Sequence, residues 1–338
     1  MRIKSFSRWS RASAPNLPAE GMFRRVLIYG AGVLGSLFAA RLHQAGYDVT
    51  LLARGQRLAE LREGGVILQE FESGRQECVP VPLTERLSPE DAYDLVMVLV
   101  RKNQLESVLS ALVENQFTPN VLFLMNNVEG PGHLVEALGR GRVLLGFPAA
   151  GGKRENGVVY YRVAPGKAMP TTLGEPDGSR SERLGWVAQM LEDAGLPVTT
   201  STNIDAWLKT HAAVVSPIAN ALYLAGGSAY RLARTRDGLV LMVRAIQDAL
   251  RALQALHIPI TPPMIGALLW VPEPVLVALL EKRLGSPLAE LVLASHANAA
   301  RDEMRQLDAE LRWGWRWFPP GCWPGGIRSG GETPYFGK

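Results

Sequence analysis

Arg24-Arg25-Val26-Leu27-Ile28-Tyr29-Gly30-Ala31-Gly32-Val33-Leu34-Gly35-Ser36 is the stretch whose reading decides the fold. Val26 to Tyr29 is a short apolar run with the character of a buried parallel strand. Gly30, Gly32 and Gly35 follow at G-x-G-x-x-G spacing, and Ser36 to Ala45 continues with helical periodicity. In a dinucleotide site the first glycine permits the tight turn and the second lets a pyrophosphate approach the backbone. The third lets helix and strand pack closely. The helix that starts there offers unpaired N–H groups and a positive dipole end to phosphates. The expected cradle is therefore Gly30, Gly32, Val33, Leu34 and Gly35. A Gly-rich turn alone matches this pattern by chance, but here Tyr47 to Leu52 follows as a second strand and completes the context.

A chain of 338 residues can bury a sizeable core and reads as two domains. No apolar run reaches the ~18–20 residues of a membrane span. Cys78 and Cys322 are the only cysteines and form no metal-ligating spacing, so no metal is expected and the cytoplasm is the expected compartment. The net charge of +4 belongs to the ends of the chain. Arg2, Lys4, Arg8 and Arg11 stand against Glu20 in 1–21, and Arg312, Arg316, Arg328 and Lys338 against Glu332 in 312–338. The body between them is slightly acidic and makes no electrostatic case for nucleic acid. Residues 1–21 lack apolar periodicity and read as a disordered tail or as a leader added by an upstream start codon. The Trp-, Gly- and Pro-rich 312–338 fits neither helix nor strand and reads as an irregular tail, either a non-native terminus or an aromatic interaction segment.

Past the second strand comes Arg54, where a Rossmann unit meets the adenosine ribose, ~20 residues beyond the glycines. An acidic residue there favours NAD, whereas the arginine fork pairs with a 2′-phosphate and indicates NADP. The bland alternative is a solvated loop arginine. Val66-Ile67-Leu68 and Val79-Pro80-Val81 look like pieces of a small β insertion. Asp94 to Val100 is a third buried strand, ending in Arg101 and Lys102 at the ligand edge, with Gln104 to Leu112 as the next helix. Val121 to Met125 is a fourth strand. It ends in Asn126-Asn127, whose amides suit a nicotinamide or ribose but also an ordinary turn. Val143–Phe147 and Gly157–Val163 continue the β pattern, Leu184–Ala194 is a helix, and Pro197–Thr200 is the last strand.

From Asn203 the pattern is helical: Ile204–Leu222, Asp237–His257, Pro274–Leu284 and Leu288–Leu311. The expected organisation is an α/β Rossmann-type domain over 22–200 and an all-helical domain over 201–311, with ligands in the cleft between them. Lys209 stands alone in an Ala/Val-rich helix, where partial burial would ease proton donation at neutral pH. A lysine snorkelling at the helix surface is the plainer reading. Glu303 can accept from a substrate hydroxyl or pair with an arginine on a solvated face. His211 and His296 are further candidates, although a lone helical histidine is more often structural.

The run from Val26 to Val66, and especially Gly30-Ala-Gly-Val-Leu-Gly-Ser with Leu51-Leu-Ala-Arg-Gly, resembles the ketopantoate reductase (2-dehydropantoate 2-reductase) family. The resemblance continues through Asp94–Leu112, Asn126 and Trp207-Leu-Lys209 to the Glu303 helix. It implies an enzyme, with a homodimer as one option and no membrane or nucleic-acid partner, that reduces a 2-oxo acid with NADPH, hydride going to the ketone carbon. By position, Lys209 is the general acid and Glu303 the acidic partner that orients it. Arg54 binds the 2′-phosphate, while Arg101 and Asn126 lie along the cofactor. Several positions depart from the family. Arg101 with Lys102 beside it replaces a lysine, Asn126-Asn127 replaces Asn-Gly, and Ala213 replaces an asparagine one turn after the lysine. Pro217 lies one residue nearer the lysine, no Ser-Ser-Met precedes the Glu303 helix, and the family carries further helix after Leu311. The alternatives are a reductase of another carbonyl substrate and a non-catalytic NADP-binding sensor or degraded paralogue.

Overall fold

The computed structural model describes residues 24–163 and 170–315, with side chains to Leu311. The expectations for 1–21, for Cys322 and for the tail from 316 lie outside the described residues. Residues 312–315 do not: they continue a helix through Trp315, a correction to their reading as irregular tail.

Among the described residues twelve strands form two sheets: β1 (Arg25–Tyr29), β2 (Asp48–Leu52), β3 (Val66–Glu70), β4 (Gln76–Val79), β5 (Leu83–Thr84), β6 (Leu95–Val98), β7 (Val121–Leu124), β8 (Val143–Phe147), β9 (Ala150–Glu155), β10 (Val158–Val163), β11 (Thr171–Gly174) and β12 (Val198–Thr200). The large sheet runs β12-β11-β8-β7-β6-β1-β2-β5, parallel throughout except where β8 meets β11. β1 is an interior strand between β6 and β2, with Ile28 opposite Leu51 of β2 and Met97 of β6. Helices α1 (Val33–Gln44), α2 (Gly55–Gly64), α3 (Leu105–Glu114), α4 (Gly132–Leu138) and α5 (Glu182–Asp193) are threaded between the strands. The strand period of two sends Val26 and Ile28 into the core shared with α1 and α5, and Leu27 and Tyr29 into the one shared with α3 and α4. That two-faced burial is why β1 reads as an unbroken apolar run.

The insertion is larger than its sequence signal. β3 and β4 are joined by β9 and β10 in a separate sheet of order β4-β3-β10-β9, whereas sequence reading places Gly157–Val163 in the main β pattern. Pro80, which lacks an N–H for the ladder, follows directly after β4.

The second half is α6 (Ile204–Leu224), α7 (Ala229–Ala233), α8 (Arg236–Ala255), α9 (Glu273–Leu284), α10 (Pro287–Ala289), α11 (Ser295–Ala299) and α12 (Arg301–Trp315). Its core joins Ala213 and Leu222 of α6 to Met242, Ile246 and Leu250 of α8 and Val277 of α9. The stretch read as one helix over Leu288–Leu311 is broken. A π turn over Glu290–Ala294 separates α10 from α11, with the Ser295 hydroxyl donating to the Glu290 carbonyl. Ala300 then leaves helical geometry before α12 begins.

At the centre, α1 packs against the turn that leaves β1. A Cβ on Gly35 would lie 1.7 Å from the Gly30 carbonyl oxygen, inside any allowed contact. Gly185 is the opposite case, exposed in α5 with nothing within 4 Å of its missing Cβ. Gly35→Ala is expected to lower unfolding stability by about 1–3 kcal/mol or more in urea titrations. Gly185→Ala is expected to raise it by roughly 0.5–1 kcal/mol.

Candidate active site

The carboxyl ends of β1, β2, β6 and β7 bring the sequence candidates to one edge of the large sheet, the ligand edge of such folds. The Gly-rich turn lies at its centre. Gly30 has φ +113° and no room for a Cβ, which would meet Leu99 O at 2.7 Å. Gly32 differs: its φ is −72° and the space beyond it is open, so nothing within the chain requires glycine there. A pyrophosphate brought against the backbone would. α1 starts at this point with no side-chain cap and no acid in its first turn, so its N–H groups are left to an anion. Val33 and Leu34 are half-buried at its start.

Arg54 extends from the end of β2 and is exposed. It donates to the Tyr29 hydroxyl at 2.7 Å and to Glu85 O at 3.2 Å, which sets the guanidinium beside the end of β1. A guanidinium carries five N–H donors, and these two contacts use two of them.

Around β6 and β7 the site is tight. Glu303 of α12 is only 3 % exposed, and its Oε1 accepts from Asn126 Nδ2 at 3.1 Å and from the Lys102 backbone N–H at 3.3 Å. Asn126 is itself buried, with Oδ1 left without a partner. Arg101 is partly exposed, 4.0 Å from Asp302. Lys102, rather than Arg101, is the buried cation: its Nζ donates to Glu129 at 2.8 Å and lies 3.9 Å from Glu310. Burial pushes the Glu310 carboxyl above its ordinary range, with the Lys102 charge opposing.

Lys209 sits apart from Glu303. Its acid is Asp205, one helical turn earlier on α6, at 2.5 Å. The pair is covered by the loop that Asn126 begins. Gly130, at φ +90°, would place a Cβ 3.0 Å from Asp205 Oδ1 and 3.5 Å from Lys209 Nζ, so only glycine lets the loop lie this close. Asn127 closes the same loop by donating to Gly130 O at 2.9 Å. A cavity of about 540 Å³ lies against it, lined by Lys102, Glu129, Gly130, His133 and Gln306. The structure thus gathers Asn126, Glu303, Lys102 and Arg101 directly, and Lys209 through Gly130. Among the described residues Lys209 pairs with Asp205, and no hydrogen bond or ion pair joins it to Glu303. Sequence reading missed Asp205, although acid and lysine at i and i+4 are a readable signal. It also missed Gly130, for which the chain offered only a Gly-Pro turn.

Further along α6, His211 stacks on Trp207 at 5.4 Å and meets Phe147 at 3.9 Å. Its Nε2 is buried without a partner. Burial pulls the imidazole down to about 4, and His296 pushes the same way. His296 is also lowered by burial, with Glu303 opposing and Arg101 adding to the shift.

The Rossmann sheet followed by helices, with a charged cleft where they meet, is the arrangement of a dinucleotide-binding fold. A sequence model described as ketopantoate reductase PanE/ApbA matches residues 26–178. The 2-dehydropantoate 2-reductase of Archaeoglobus fulgidus is 32 % identical over 236 residues, covering 69 % of this chain and 74 % of that one. That of Mesorhizobium japonicum is 28 % identical, covering 55 % of this chain and 63 % of the relative. Among solved structures, 2-dehydropantoate 2-reductase from Geobacter metallireducens aligns at TM-score 0.62 and 19 % identity, over 86 % of this chain and 99 % of that one. D-mandelate dehydrogenase in complex with NADH aligns at 0.66 and 17 %, over 86 % and 92 %. The structural likenesses are likenesses of fold. The chain belongs to the ketopantoate reductase family.

The His211 environment has a consequence for stability. In the unfolded chain its imidazole titrates at its ordinary 6.5, so between that value and about 4 the unfolded state binds the proton first. The contribution of neutral His211 is therefore complete above pH 6.5 and lost as pH falls toward 4. Urea midpoints measured from pH 7 to 4.5 are expected to fall with pH, and His211→Gln is expected to reduce the slope.

Proposed function

We propose that this chain reduces a 2-oxo acid to the 2-hydroxy acid with NADPH, with 2-dehydropantoate (ketopantoate) to pantoate as the leading reaction. The observation that carries the reading is Glu303. This one buried carboxylate brings the helical half onto the ends of β6 and β7, where a Rossmann domain works on its ligands. Family membership supports the same reaction.

The residues present fit the cofactor. The open space beyond Gly32 and the uncapped start of α1, with the N–H groups of Val33 and Leu34, suit a pyrophosphate. The Arg54 fork suits a 2′-phosphate. Arg101 adds positive charge at the same edge. Glu303 occupies Asn126 Nδ2 and so leaves Asn126 Oδ1 as a free acceptor for an amide donor. When bound, NADPH supplies the hydride that adds to the substrate's carbonyl carbon. Lys209 gives a proton from Nζ to the carbonyl oxygen and is left as a neutral amine, which solvent reprotonates. Asp205 holds Nζ in place between turnovers, and the Gly130 loop lies directly against the pair. The cavity beside Gly130, with Lys102 and His133 in its wall, is large enough for a small acid.

A second reading keeps the reaction and changes the substrate. Ala213, where the family has asparagine, is fully buried in the helical core and offers a substrate nothing polar. NADPH oxidation followed by absorbance over a panel of 2-oxo acids separates the two readings. Turnover of ketopantoate in preference to the rest supports the first, and preference for another acid supports the second. Silence across the panel leaves a sensor or degraded paralogue. Lys209→Ala is expected to lower kcat on the true substrate by about 10²–10⁴-fold with NADPH affinity retained. A loss within threefold removes Lys209 as the acid.

A further inference from the structure

α2 begins beside the Gly-rich turn, and its first turn carries a second arginine that the cofactor reading leaves unused. Arg57 reaches back across the turn. Its Nε donates to Ala31 O at 3.3 Å and its Nη2 to Ser36 Oγ at 3.2 Å, while Nη1 pairs with Glu60 at 3.1 Å. Ala31 stands between the first two glycines, and the Ser36 hydroxyl donates to the same carbonyl at 3.3 Å. The Arg57 side chain is only 11 % exposed.

Glu60 is shared. From β9 of the small sheet, Arg154 approaches it at 3.7 Å. The guanidiniums of Arg57 and Arg154 thus share one carboxylate, and Arg54 stands nearby on Tyr29, leaving an excess of positive charge at this end of the turn. Burial and the nearby Arg154 both weaken the Arg57 guanidinium's hold on its proton, against the pull of Glu60. A charge kept half-buried at such a cost is a poor choice for packing alone, since an apolar side chain of similar volume braces a loop as well or better. A guanidinium has five N–H donors, so the three contacts above leave Arg57 with donors to spare.

We propose that Arg57 is a second determinant of 2′-phosphate recognition, gripping the phosphomonoester of NADP from the Ala31–Ser36 side of the turn while Arg54 grips it from the Tyr29 side. The proposal rests on the assignment of Arg54 to that phosphate, so both arginines are tested together.

The measurement is binding, by nicotinamide fluorescence for NADPH and NADH, and by calorimetry for adenosine 2′,5′-bisphosphate and 5′-AMP. Arg57→Ala is expected to weaken NADPH and the bisphosphate about 10–100-fold, as for lost hydrogen bonds to a charged group, while NADH and 5′-AMP change less than about threefold. Arg57→Lys is expected to restore part of the discrimination as a point charge without the fork. Equal losses for all four ligands mean that Arg57 only braces the turn, and they overturn the proposal, as does no loss at all. If Arg57→Ala fails to fold, the Arg57→Lys ratio of NADPH to NADH affinity decides: a wild-type ratio overturns it. Arg54→Ala separates the two assignments. If it leaves that ratio unchanged, the 2′-phosphate reading itself fails and this proposal with it. If it lowers the ratio but Arg57→Ala does not, only Arg57 is wrongly assigned.

Discussion

The close approach of α1 to the turn after β1 is the constraint on which the ligand edge depends. Without a side chain at Gly35, the helix lies against the Gly30 carbonyl, which sets its uncapped start directly beside the turn. Move α1 outward by the width of a methyl and the cradle loses its depth, Ser36 leaves Ala31, and Arg57 loses both of its contacts to the turn. The apolar run of β1 supports this from below by burying both faces of the strand. Backbone geometry, rather than any polar side chain, therefore builds the anion-facing half of the site.

The other half is registered by polar contacts across the cleft. Glu303 binds a strand end and a backbone N–H at once, and Asn103 ties to Asp302 beside it at 2.7 Å. A carboxylate buried this deeply is costly unless its partners are in place, so the contact selects one docking of α12 over near alternatives. Lys209 is held by a different logic, an acid on its own helix and a glycine loop above it. The site is thus assembled from two separately fixed parts, with the loop from Asn126 to Gly130 common to both.

How much of this was legible in the chain follows from sequence distance. The β1–turn–α1–β2 unit and Arg54 lie within about 30 residues, and local periodicity with glycine spacing identifies them. β6 and β7 were legible as apolar runs for the same reason. The partner of Lys209 was not, because resemblance pointed to Glu303 while the nearer Asp205 makes the contact. What Glu303 touches instead depends on how α12 docks, which no window along the chain contains. β9 and β10 were visible as strands, but their sheet was not, since its ladder pairs Val158 with Ile67 across the intervening chain. The Trp-Gly-Trp composition hid the last turn of α12, whose start is an amphipathic helix packed through Met304 and Leu307.

The small sheet has one contact that reaches beyond the adenosine end. A Cβ on Gly151 of β9 would lie 2.6 Å from Val292 Cγ1, in the π turn of the helical half, and Arg154 of the same strand reaches Glu60. One strand therefore has a foot on each side of the cleft. Any widening of the cleft must either lift Val292 off the β9 backbone or drag the strand with it, away from α2. An insertion that looks like decoration on the Rossmann sheet is in this sense a strap, and it ties the position of α2 to how far apart the two halves stand.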